Sequence, residues 1–149
     1  MVLIKKNEEW LWSDEAGSAN RSEFLKRIYR MEDITKRIDD RIKETGKRPD
    51  AIKELQERLE EYEKKTEGLN KTMPWLSESQ KSVMFKLLND TRVWLSEKIV
   101  EQNGKKLYDE VAFTSSLLSF KSKKIKDAYY DLRAIKKPKA EKVKHYNSE

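Results

Sequence analysis

The chain has 149 residues, carries a formal charge of +6 and contains no cysteine, so it suffices for one domain with one sizeable core. Charged residues make up 40% and Gly plus Pro number only seven, a balance that favours long solvated helices over a sandwich or barrel. Fourteen aromatic residues, with apolar positions that recur at helical spacing, argue against disorder, and no apolar run is long enough to span a bilayer.

In chain order, a first helix is predicted over about 2–15, ending at the Gly17-Ser18-Ala19-Asn20 turn. Met1-Val2-Leu3-Ile4 runs straight into Lys5 and Lys6, leaving no stretch of signal-peptide length, so the start reads as a cut. Over about 21–45, Phe24, Ile28, Met31, Ile34, Ile38 and Ile42 recur every three or four residues and predict one buried stripe on a long helix stopped by Gly46. Pro49 suits the first turn of a third helix, which carries Ile52, Leu55, Leu59 and Tyr62 and ends or frays at Gly68.

Ser77 with Gln80 three residues on forms a capping box, opening a helix over about 78–102 with Met84, Leu88, Trp94 and Leu95 inward and Asn103-Gly104 as its close. Residues 105–113 read as a connector. Thr114 or Ser115 caps a last helix bearing Leu118, Ile125, Tyr129 and Leu132, with Pro138 marking its end. The expectation is an all-α, antiparallel bundle of about four long helices preceded by a shorter one, spanning 1–138, with 139–149 a flexible basic tail.

Catalytic chemistry finds little to use. The single His145 lies in the tail, no glycine-rich loop precedes a helix, and the carboxylates of 54–67 alternate with Lys and Arg as a solvated face. No enzyme activity, cofactor or metal is expected. The first 75 residues balance 17 basic against 17 acidic side chains, so the whole excess lies later, in Lys121, Lys123, Lys124 and Lys126 and in the tail. Such a helix could track phosphates, but no recognition motif accompanies it and nucleic acid is disfavoured as a partner.

Two features point outward. Trp10 and Trp12 stand two apart and cannot share one helix face, so at least one should be exposed or meet another domain. Three of the six Asn open glycosylation sequons, Asn20, Asn70 and Asn89, where composition alone supplies about 0.7.

The order of motifs carries a resemblance. Asn7-Glu8-Glu9-Trp10-Leu11-Trp12-Ser13-Asp14-Glu15-Ala16, followed by a long helix after Asn20, resembles the entry to the C-terminal lid of the seventy-kilodalton heat-shock family and its larger relatives. Lys47-Arg48-Pro49, Pro74-Trp75-Leu76-Ser77-Glu78, Asn89-Asp90-Thr91-Arg92-Val93-Trp94-Leu95 and Lys98-Ile99-Val100-Glu101-Gln102 are similar to the large, glucose-regulated members of the endoplasmic reticulum. The resemblance covers roughly 7–138 and implies a non-catalytic lid in the reticulum lumen, glycosylated, that contributes to nucleotide exchange on a luminal seventy-kilodalton chaperone and to holding unfolded polypeptide. Under it, Asn20, Asn70 and Asn89 become glycan acceptors, and Trp10, Trp12, Arg27, Arg30, Lys36, Arg37 and Arg41 become a partner surface, assigned by position. The nucleotide-binding and β-sandwich domains of that family have no counterpart in these residues, and the chain ends Tyr146-Asn147-Ser148-Glu149 without a retention signal. The competing expectation is a free-standing helical adaptor whose basic last helix binds anionic partners.

Overall fold

The computed structural model describes residues 2–140, and five helices account for the regular structure among them: α1 (Val2–Leu11), α2 (Asp14–Ser18), α3 (Arg21–Thr72), α4 (Glu78–Asn103) and α5 (Ser115–Arg133). The chain is all-helical, as its periodicity predicts. Residues 141–149, with Lys142, Lys144 and His145, hold most of the expected tail and lie outside the described part.

Two compact units divide the chain. One takes residues up to Gly46 together with Lys106–Asp109; the other takes Lys47–Lys105 and the chain from Glu110 onward.

The second unit is built on one core. Leu55, Leu59, Tyr62 and Leu69 of α3 meet Met84, Leu88 and Leu95 of α4 and Leu118, Ile125, Tyr129 and Leu132 of α5, with Phe113 buried among them. Leu88 and Ile125 are completely buried. Tyr62 and Tyr129 meet edge to face with centroids 5.1 Å apart, a geometry that adds directional attraction to apolar burial. Two polar contacts fix α3 beside α4: Glu63 with Arg92, and Asn70 with the buried Lys81, whose Nζ donates to Asn70 Oδ1 at 2.6 Å and also pairs with Glu78. Trp75, in the α3–α4 link, donates its indole N–H to the Ile135 carbonyl at 3.1 Å and so ties the chain after α5 to that link.

The local signals at α4 and α5 hold. The Ser77 hydroxyl accepts from the Gln80 amide at 3.1 Å while the Gln80 side chain accepts from the Ser77 amide at 2.9 Å, the reciprocal capping box. Thr114 caps α5 by accepting from the Leu117 amide at 3.2 Å, and Gly104 closes α4.

Three expectations are corrected. First, the long helix does not stop at Gly46 and restart at Pro49: α3 runs unbroken for 52 residues, passes Gly68 as well, and leaves three longer helices where four were expected. No glycine among the described residues adopts positive φ, so Gly46 supplies no left-handed stop. Pro49 forfeits one helix donor and crowds the preceding turn, a cost of about 3 kcal/mol. Burial of Leu55, Leu59, Tyr62 and Leu69 on the following turns, worth about 1.5–3 kcal/mol per large apolar side chain, outweighs it.

Second, α1 ends at Leu11 rather than near residue 15. The Ser13 amide and hydroxyl both donate to the Trp10 carbonyl, at 3.0 and 2.6 Å, and this local turn competes with helix continuation before α2 starts. At the other end, α5 stops at Arg133, short of Pro138.

Third, the stripe of α3 before Gly46 is not buried. Ile28, Ile38 and Ile42 are 49%, 49% and 55% exposed, because α1, α2 and residues 106–109 are the only other parts of their unit and do not cover it.

Candidate functional site

The first unit organises its polar residues around the start of α3. Asn20 begins that helix: its Oδ1 accepts from the Glu23 amide at 3.1 Å while Glu23 Oε2 accepts from the Asn20 amide at 3.2 Å, a capping box that satisfies two otherwise free donors. One turn further, Arg27 is held from two sides. Its guanidinium carbon lies 3.9 Å from the centre of the Trp10 ring, and its Nη1 donates to Asn7 Oδ1 at 3.1 Å. Trp10 also packs edge to face on Phe24, centroids 5.1 Å apart.

Asn7 and Trp10 lie three apart on α1 and therefore share a face. Asn7 is 8% exposed, and its Nδ2 is buried with no hydrogen-bond partner. Sequence reasoning passed over this residue. An asparagine inside a helix, three positions before a tryptophan, was the available signal, since asparagine favours caps and turns over helix interiors.

Of the expected partner-surface residues, the structure brings Trp10 and Arg27 together and leaves Trp12 apart, 85% exposed. Arg30 is exposed one turn beyond Arg27. Arg37 pairs with Asp33 at 3.0 Å on an exposed face, and Arg41 Nη1 donates to the Tyr108 carbonyl at 2.7 Å, which fastens residues 106–109 to α3. At about 100° per residue, Arg27 and Arg41 border one side of the exposed Ile28, Ile38 and Ile42 stripe, and Arg30 and Arg37 lie further round the helix beyond them. Lys36 falls on the other side, in a shallow groove with Ile28, Met31, Asp39 and Lys43.

The three sequons differ in setting. Asn20 precedes α3, and Ser22 beside it is exposed. Asn70 lies in the last turn of α3, its Oδ1 engaged by Lys81. Asn89 is exposed in the middle of α4, but its sequon partner Thr91 is only 4% exposed and donates its hydroxyl to the Leu87 carbonyl at 2.8 Å.

The basic helix α5 spends part of its charge on its own packing. Lys121 Nζ lies 4.5 Å from the centre of the Trp94 ring, Lys124 Nζ 5.2 Å from that of Phe120, and Lys123 sits 4.0 Å from Asp127. Among the described residues no three His, Cys, Asp or Glu side chains gather in a metal-binding group, and no helix is long and apolar enough to cross a membrane.

Residues 64–133, a little under half of the chain, match the family model of the HYOU1-like C-terminal domain, which supports reading this segment as a C-terminal domain of that heat-shock-type chaperone family. The matched residues run from the last turns of α3 to the end of α5, while Trp10, Trp12 and the arginines of α3 lie before them. No curated protein and no solved structure matches the chain.

Proposed function

We propose that the chain is the non-catalytic helical lid of a large heat-shock-type chaperone of the endoplasmic-reticulum lumen, and that it helps bind a luminal seventy-kilodalton chaperone during nucleotide exchange. The match of residues 64–133 to the HYOU1-like C-terminal domain carries this reading. In it, α3, α4 and α5 form an antiparallel bundle: Glu63 meets Arg92 and Asn70 meets Lys81, so numbering rises along α3 as it falls along α4, which supports that arrangement.

The mechanism is geometric. A helix that must hold a partner needs exposed apolar surface for adhesion and fixed charge for register. The stripe of Ile28, Ile38 and Ile42 offers the first, and Arg27, Arg30, Arg37, Arg41 and Lys36 offer the second, with Trp10 and the exposed Trp12 as further contact surface. The same stripe suits brief holding of unfolded polypeptide, whose apolar segments are sequence-diverse. Asn20, Asn70 and Asn89 then serve as glycan acceptors in the lumen.

Binding of the luminal seventy-kilodalton chaperone to the immobilised chain tests the reading. Arg30→Glu, Arg37→Glu and Arg41→Glu together should weaken association at least about tenfold and flatten its salt dependence. Unchanged binding by the triple variant would remove the arginine flank from the partner surface. Absence of binding by the unaltered chain would remove the partner role itself.

A further inference from the structure

A second feature of the first unit is an open cavity of about 610 Å³ lined by α1, α2 and the opening turns of α3. Its lining includes Asn7 and Trp10 from α1, Glu15 from α2, and Glu23, Lys26 and Arg30 from α3. We propose that this cavity receives the carboxylate of an acidic side chain on a partner protein, and so names the chemistry of one contact in the partner-binding reading on which it rests.

The wall is preorganised. Arg27 is fixed by the Trp10 ring and Asn7 Oδ1, and Trp10 by Phe24, so an entering group meets a surface already held in place. Asn7 Nδ2 remains a buried donor with no acceptor among the described residues, and an unmade hydrogen bond of this kind costs about 1–3 kcal/mol.

The charges choose the acceptor. Glu23 is held by the Asn20 amide as half of the helix cap and keeps its negative charge, which with Glu15 leaves the three cations Lys26, Arg27 and Arg30 one charge in excess. Lys26 and Arg30 are exposed and form no ion pair or hydrogen bond among the described residues, so their charge is available to a ligand. Glu15, on the opposite wall, penalises a dianion such as phosphate more than a single carboxylate. A glutamate or aspartate on a folded partner fits this balance.

The test titrates the isotope-labelled, full-length chain with hexaglutamate at about 0.15 M salt, the ionic strength that screens diffuse attraction beyond roughly 8 Å. The Trp10 indole and Asn7 side-chain amide signals should move and saturate, hexalysine should move neither, Arg30→Glu should weaken binding by about tenfold, and Arg30→Lys should restore it to within about threefold. Lys123→Glu on α5 should change nothing at these two signals. Shifts confined to the lysines of α5, or shifts at Asn7 and Trp10 indifferent to Arg30→Glu, would overturn the assignment. Chaperone binding that persists when Lys26→Glu and Arg30→Glu are combined would overturn the cavity while leaving the broader partner role standing; hexaglutamate binding in a chain that ignores the chaperone would do the reverse.

Discussion

Arg92 clasps Glu63 with two parallel hydrogen bonds, Nη1 to Oε1 at 3.0 Å and Nη2 to Oε2 at 2.5 Å, joining α4 to α3 across 29 residues of sequence. The Arg92 hydrogen bond holds the Glu63 carboxyl below its usual 4.5, with burial pulling the other way and the Arg92 charge adding to the lowering. A carboxyl whose folded pKa is depressed contributes stability that is present above the unfolded value and lost as pH falls through the folded one. Both side chains are more than a third exposed, so solvent screening limits the pair to less than about 1 kcal/mol. Glu63→Gln should therefore lower the urea midpoint modestly at pH 7, and the difference from the unaltered chain should shrink as pH drops below about 4.5. A gap that stays constant down to pH 3 would show that the pair does not couple folding to protonation.

The continuity of α3 makes a prediction of opposite sign to the one the breaker residues suggest. A Cβ added at Gly46 meets nothing within 4 Å, and the residue sits in a helix interior without positive φ. Gly46→Ala should raise stability by about 0.5–1 kcal/mol, through helix propensity and a less flexible unfolded chain. Had Gly46 terminated a helix in the left-handed region, the same change would lower stability; thermal melts of the two chains decide between these cases.

Leu88 and Ile125 are 0% exposed at the meeting of the three helices of the second unit. Leu88→Ala and Ile125→Ala should each cost about 2–5 kcal/mol, transfer and cavity terms together, read as a lower urea midpoint. Ile38→Ala, on the exposed stripe, should stay within about 0.5 kcal/mol of the parent, since surface changes rarely exceed that. Equal losses at Ile38 and Leu88 would mean that the stripe is covered within the chain.

The sequons should differ in when they can be used. Thr91 is buried and hydrogen-bonded within α4, so a transferase that must grip the sequon hydroxyl finds it only before α4 folds, whereas Asn20 and Ser22 are exposed at a helix start. Purified oligosaccharyltransferase acting on the folded, unmodified chain should therefore modify Asn20 well ahead of Asn89, and urea-unfolded chain should lose that preference. Equal modification of both sites in the folded chain would contradict the placement of Thr91.

What could be read from the sequence was local. The Ser77–Gln80 box, the Thr114 cap and the Asn103-Gly104 close each depend on residues within one turn, and all three stand in the structure. Trp10 packs on Arg27 and Phe24 while Trp12 faces solvent, but Trp12 stands in the turn after α1, so the helical spacing of the two is not what separates them. Gly46 and Pro49 misled because a breaker records only a local penalty, while the apolar burial that overrides it comes from α4 and α5, distant in sequence. Asn7 is marked in the sequence only as a polar residue inside a helix, since its partner Arg27 lies 20 residues away.

The central claim, that this chain acts as a lid gripping a chaperone partner, is tested most directly by nucleotide release. In a large chaperone of the HYOU1-like family whose own C-terminal domain is replaced by this chain, release of bound nucleotide from the luminal seventy-kilodalton chaperone should proceed nearly as fast as with the unaltered protein. A rate no higher than that of the lidless protein, with ATP binding by the chimera intact, would contradict it.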